Sequence, residues 1–216
     1  MNTNYIDYKI IILGNTLVGK TSFFRKIISD EFSHKNISTI GVDQKTLYLD
    51  LDIMNNKGEK EKHNFKITLY DTAGQEKFRS VTKSFFKGAN GILMLYDITN
   101  RESFEQVQSW LESIEEMLGE NKNDKYFIIL FGNKKDLIEN DEEKKVEENE
   151  AEEKCKEFGF YWGGEISAKT FTKDELINKI KDFVIEIYKK TGINNSGKQV
   201  SKNLLITKKK KKKKFC

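Results

Sequence analysis

Gly14-Asn15-Thr16-Leu17-Val18-Gly19-Lys20-Thr21 sets two glycines, a lysine and a hydroxyl at the spacing G-x-x-x-x-G-K-[ST]. An apolar run, Tyr8–Leu13, precedes it and a helical pattern from about Lys20 to Ser29 follows, which is the context this motif requires. Glycine lets the backbone curl so that amide N–H groups from Gly14 to Ser22 face phosphate oxygens, and the helix N-terminus adds a favourable dipole. Lys20 then reaches the β- and γ-phosphates, and the Thr21 hydroxyl becomes a ligand for Mg²⁺. A chance glycine turn before a helix is the plainer alternative, and the remaining motifs weigh against it.

Asp71-Thr72-Ala73-Gly74-Gln75-Glu76 ends a strand-like segment. A carboxylate at Asp71 can hold a magnesium-bound water, Gly74 has no side chain to obstruct a donated N–H, and Gln75 can orient an attacking water. Asn133-Lys134-Lys135-Asp136 follows a second apolar run. Asp136 can accept both N1–H and the 2-amino group of guanine; adenine would leave it buried and unpaired, a large penalty. Asn133 would hold the loop, and the Lys134 stem would cover the base. Ser167-Ala168-Lys169 would supply a backbone N–H to the guanine O6. Each tetrapeptide or tripeptide is weak alone, but four such segments in this order are highly specific.

Strands alternating with helices must position these groups. Tyr8–Leu13, Gly91–Tyr96 and Tyr126–Phe131 are continuous apolar runs of buried-strand length. Thr46–Ile53 and Asn64–Tyr70 alternate apolar and polar residues, with polar Asn55–His63 expected to join them as a long hairpin loop. Ser103–Leu118 and Asp174–Tyr188 carry apolar residues at helical spacing. Glu139–Lys156 is rich in Glu and Lys, and its helix start is not evident. The pattern implies a mostly parallel sheet with helices on both faces. His34 and His63 are expected in solvated loops.

The chain has 216 residues, enough for one α/β domain and a short tail. Lys208–Lys214 supply seven of the positive charges behind a net +4, so the rest of the chain is net −3. That asymmetry argues for a tail with its own anionic partner and against nucleic acid across the domain. Cys155 and Cys216 suggest neither a disulfide framework nor a metal cluster. The N-terminus does not read as a signal peptide, and no apolar run is long enough to span a bilayer. A cytosolic location is expected unless the tail anchors the chain. Proline is absent, and we have no physical account of that.

From about Tyr8 to Tyr188 the chain resembles Ras-superfamily GTPases, and more narrowly the Rab branch. Besides the segments above, Ser38-Thr39-Ile40-Gly41-Val42-Asp43, Asp71–Arg79, Phe85-Phe86-Lys87-Gly88-Ala89 and Tyr96-Asp97-Ile98-Thr99 resemble Rab stretches. The resemblance implies a small G domain over residues 1–190 with a six-stranded, mostly parallel sheet, then a flexible polybasic tail over 191–216. It implies that Thr39 ligates Mg²⁺ and senses the γ-phosphate, that Phe32 covers the guanine edge, and that Gln75, Lys20 and Thr39 carry slow GTP hydrolysis. The implied partners are GTP and GDP, an exchange factor, a GTPase-activating protein and effectors. Three departures stand out. Leu17 replaces a small residue and is expected to crowd the phosphate loop. Gln44 replaces an aromatic and Tyr70 a tryptophan, in a patch that with Phe85 is the surface effectors read.

The chain ends in seven lysines, Phe215 and Cys216. The four-residue C-a-a-X form is absent, yet one lipid on Cys216 plus a polybasic run gives the two signals stable membrane binding needs. The expected location is therefore peripheral, on the cytosolic face of an intracellular membrane, in a Rab-like trafficking role. The alternatives are a nucleotide-locked binding module with negligible turnover, and a nuclear or nucleic-acid role directed by the tail.

Overall fold

In a computed structural model of the chain, the structure describes residues 4–29, 42–55, 57–72, 86–118, 126–138 and 143–191. Six strands form one sheet in the order β2-β3-β1-β4-β5-β6. They are β1 (Ile6–Leu13), β2 (Val42–Met54), β3 (Lys60–Thr72), β4 (Gly91–Asp97), β5 (Phe127–Asn133) and β6 (Tyr161–Glu165). Only β2 and β3 pair antiparallel; β1 with β3, β1 with β4, β4 with β5 and β5 with β6 are parallel. The helices are α1 (Lys20–Ser29), α2 (Arg101–Leu118), a single turn α3 (Lys135–Ile138), α4 (Glu148–Phe158) and α5 (Lys173–Thr191).

The apolar runs are continuous because the central strands are buried on both faces. Successive side chains divide between two cores. Ile10, Ile12, Leu93, Leu95, Ile129 and Phe131 face α1 and α5, with Phe23, Ile27, Phe183 and Val184. Ile11, Ile92, Met94, Ile128 and Leu130 face α2 and α4, with Phe104, Val107, Ile114, Ala151 and Cys155. Burial pushes the Cys155 thiol up to about 12. The helix starts follow local chemistry. Asn100 Oδ1 accepts the Ser103 N–H at 3.1 Å to open α2. Thr172 and Glu175 exchange hydrogen bonds at 3.3 and 2.7 Å, a reciprocal capping box for α5.

Two expectations need revision. The β2–β3 connection is short: Met54 pairs with Lys60, so residues 60–63 are strand. Asn55 closes the turn, its Oδ1 accepting the Lys57 and Glu59 N–H groups at 2.9 and 3.0 Å. His63 is therefore not in a solvated loop. It lies buried on β3 against the Tyr188 ring of α5, with ring centroids 4.7 Å apart. His34 lies outside the described residues. Gly163-Gly164 belongs to the edge strand β6, whose pairing with β5 shifts register between Leu130 and Phe131. A Cβ on Gly163 would stand 2.1 Å from the Phe131 ring, so glycine is what lets the edge strand lie over that side chain.

Gly163→Val should destabilise the protein by about 1–3 kcal/mol through overpacking. Urea unfolding checks this, and an unchanged midpoint would show that Phe131 can move aside.

Candidate functional site

The phosphate loop spans the C-terminal end of β1 and the start of α1. Gly14 and Gly19 adopt φ of 139° and 98°, and neither tolerates a side chain. A Cβ on Gly14 would lie 2.2 Å from the Leu95 carbonyl oxygen, and one on Gly19 2.2 Å from Asn133 Nδ2. Both glycines are thus demanded by close approach as well as by conformation. Lys20 is buried at the first position of α1 and turns back over the loop. Its Nζ donates to the carbonyls of Gly14 at 2.9 Å and Asn15 at 2.6 Å. Burial lowers its pKa to about 8, with Asp71 opposing the shift.

Asp71 stands at the end of β3, completely buried. Neither carboxylate oxygen has a full hydrogen-bond partner among the described residues. Burial raises its pKa to about 6, while the Thr21 hydroxyl, Lys20 and Arg25 favour the charged form and Asp43 opposes them. A buried, underpartnered carboxylate beside a hydroxyl and an ammonium is costly in isolation. The oxygens of Thr21 and Asp71 suit a hard cation such as Mg²⁺, and a phosphate–cation pair would satisfy all three groups.

The segments expected to read a base converge on the same end of the sheet. Asn133, buried at the end of β5, donates from Nδ2 to the Val18 carbonyl at 2.7 Å and accepts the Ala168 N–H on Oδ1 at 3.0 Å. One amide therefore ties the phosphate loop to two other motifs. Asp136, 5% exposed in α3, accepts the Ser167 hydroxyl at 2.6 Å, and Lys169 Nζ lies 3.7 Å from its other oxygen. Ser167 Oγ also accepts the Lys169 and Thr170 N–H groups, which shapes its turn. Lys134 takes φ of 72°, and its ammonium pairs with Asp97 at 2.7 Å.

The structure thus gathers Gly14, Asn15, Thr16, Leu17, Val18, Gly19, Lys20, Thr21 and Ser22 with Asp71, Asn133, Lys134, Asp136, Ser167, Ala168 and Lys169. Phe32, Thr39, Gly74, Gln75, Phe85 and Cys216 lie outside the described residues. Gln44 and Tyr70 sit directly opposite each other on β2 and β3. Leu17 does not crowd the loop against any described core: it is 64% exposed and holds φ of 66°.

Two participants escaped the sequence reading. Trp110, within the Ser103–Leu118 helical pattern, donates its indole N–H to Asn15 Oδ1 at 2.7 Å. Asp97 anchors Lys134 while its Oδ1 accepts the Thr99 N–H and hydroxyl at 2.9 and 2.7 Å. The available signal was chemical: an indole N–H and a strand-end carboxylate both need partners when they approach a core.

A doubly wound sheet with a phosphate loop at one end of β1 defines the class of molecule. The comparisons narrow it. The Ras family model matches residues 9–189. Ras-related protein Rab-1D of Dictyostelium discoideum is 38% identical over 168 residues, 78% of this chain and 74% of that protein. Ras-related protein RIC1 of Oryza sativa subsp. japonica is 39% identical over 142 residues, 65% of this chain and 63% of its own. EF-hand calcium-binding domain-containing protein 4B of Homo sapiens is 37% identical over 139 residues, 64% of this chain but only 17% of that longer protein. The chain belongs to the Ras family and is a Rab-like small GTPase.

Leu17→Gly should raise stability by about 0.5–1 kcal/mol, because relief of the left-handed strain exceeds the entropy glycine adds to the unfolded chain. Thermal unfolding without nucleotide measures it; a lower midpoint would mean that the Leu17 side chain makes contacts outweighing its strain.

Proposed function

We propose that the chain is a guanine-specific GTP/GDP switch that works on the cytosolic face of an intracellular membrane, in a Rab-like trafficking role. The observation that carries the nucleotide half is the Asn133 amide, which joins the phosphate loop to the 167–169 turn beside a buried, oriented Asp136. In this reading Asp136 takes the guanine N1–H and 2-amino donors, the Ala168 segment meets O6, and the Lys134 stem lies along the base. Lys20 would hold the β- and γ-phosphates, and Thr21, Thr39 and Asp71 would hold Mg²⁺, Asp71 through a water, and the ion would supply charge neutralisation for phosphoryl transfer. Gly74 donates to the γ-phosphate, Gln75 orients the attacking water and Phe32 edges the base. Turnover is slow on its own and is accelerated by an activating protein.

The membrane half rests on the tail and on the Rab-1D relative. Residues 1–190 act as the G domain and 191–216 as the tether. Lipid on Cys216 and the charge of Lys208–Lys214 together retain the protein at anionic leaflets. No helix among the described residues is long and apolar enough to cross a membrane. An exchange factor, an activating protein and effectors at Gln44, Tyr70 and Phe85 complete the cycle.

Asp136→Asn should weaken GTP binding about 10²- to 10⁴-fold and favour xanthosine triphosphate, because the new amide leaves a guanine donor unmatched. Competition among GTP, ATP and xanthosine triphosphate reads this, and a wild type preferring ATP would overturn the base assignment. Intact mass of protein from its own cells' membrane fraction should show a prenyl adduct mapping to Cys216. An unmodified Cys216 in that fraction would remove lipid anchoring from the proposal.

A further inference from the structure

Asn133 and Trp110 both hold the phosphate loop from outside it. Asn133 grips the Val18 carbonyl near its end. At its start, Asn15 Oδ1 accepts the indole N–H of Trp110 at 2.7 Å, across 95 residues of sequence. Asn15 is also the residue whose carbonyl takes the Lys20 ammonium at 2.6 Å. Between these ties lie exposed Thr16 and the left-handed Leu17. An indole is a donor only, so it fixes which way the Asn15 amide faces: oxygen toward Trp110, the NH₂ pair away from it.

Trp110 is well placed to hold something still. It sits midway along α2, whose Phe104, Val107 and Ile114 are buried beneath the sheet and whose start is capped by Asn100. A group mounted on a packed helix transmits position better than one mounted on a loop. We propose that Trp110 is a positioning residue for nucleotide retention, acting through Asn15 to fix the peptide that seats Lys20. The inference rests on the guanine-nucleotide reading above and adds to it a residue outside every phosphate- or base-binding motif. α2 thereby becomes the element through which a contact on the outer helical layer reaches the phosphates.

The test is release of a fluorescent GDP analogue from wild type, Trp110→Phe, Asn15→Ala and the double variant, each with Mg²⁺. Trp110→Phe removes the N–H and keeps an aromatic ring; Asn15→Ala breaks the same bond without touching the helix core. Each single variant should release the analogue about two- to tenfold faster, the span of one ordinary hydrogen bond, and the double variant no faster than the quicker single. In a Trp162→Phe background, Trp110 is the sole tryptophan. Its emission should change when the nucleotide is removed, and Asn15→Ala should abolish that change. Wild-type release rates in both single variants would overturn the inference, as would lowered unfolding midpoints with release unchanged. Multiplying effects in the double variant would also overturn it, since independent sites add in free energy. A wild type that fails to retain GDP at all would instead overturn the nucleotide reading on which it rests.

Discussion

One side-chain amide organises the site. Asn133 gives a hydrogen bond to the phosphate loop and takes one from the turn at Ala168, and its Nδ2 occupies the space a Cβ on Gly19 would fill. Remove it and a buried carbonyl and a buried N–H both lose a partner. The same residue ends β5 in register with Asp97 at the end of β4. Asp97 in turn holds Lys134. The 14–21 loop, the 133–136 segment and the 167–169 turn are therefore parts of one hydrogen-bonded assembly.

That assembly is electrostatically unfinished on its own. Lys20 has turned to carbonyls of its own loop, and Asp71 sits buried with less hydrogen bonding than a carboxylate requires. Burial pushes the two groups toward neutrality from opposite sides, the lysine down to about 8 and the aspartate up to about 6. A polyanion with its cation meets both demands at once, which makes the ligand a component of the fold's stability.

The phosphate loop was legible in the sequence because its chemistry is contiguous: glycines, lysine and hydroxyl fall within eight residues, after an apolar strand. The central strands were legible because burial on both faces leaves nothing polar in them. What stayed hidden depends on partners distant in sequence. Lys60–His63 looks like a loop because His63 is its only buried residue, and histidine carries no apolar signal. The need for glycine at 163 is invisible in the sequence because the Phe131 ring that requires it lies on the neighbouring strand. Trp110 reads as ordinary core spacing, and nothing near it in sequence announces Asn15. The sequence shows the bulk of Leu17 but not its left-handed backbone, which leaves the side chain largely exposed.

The strand order has a consequence for how the molecule is made. β1 lies between β3 and β4, so the strand carrying the phosphate loop acquires its neighbours only after Thr72 and Asp97 have left the ribosome. The last tie to the loop's anchor, the Ala168 N–H, follows only when about three quarters of the chain has been synthesised. Until then an apolar segment, Ile10-Ile11-Ile12-Leu13, waits without its sheet, and such segments are what chaperones hold. A nascent chain thus displays its most recognisable motif first and acquires the ability to use it nearly last. Nucleotide capture becomes a report that translation has passed β6.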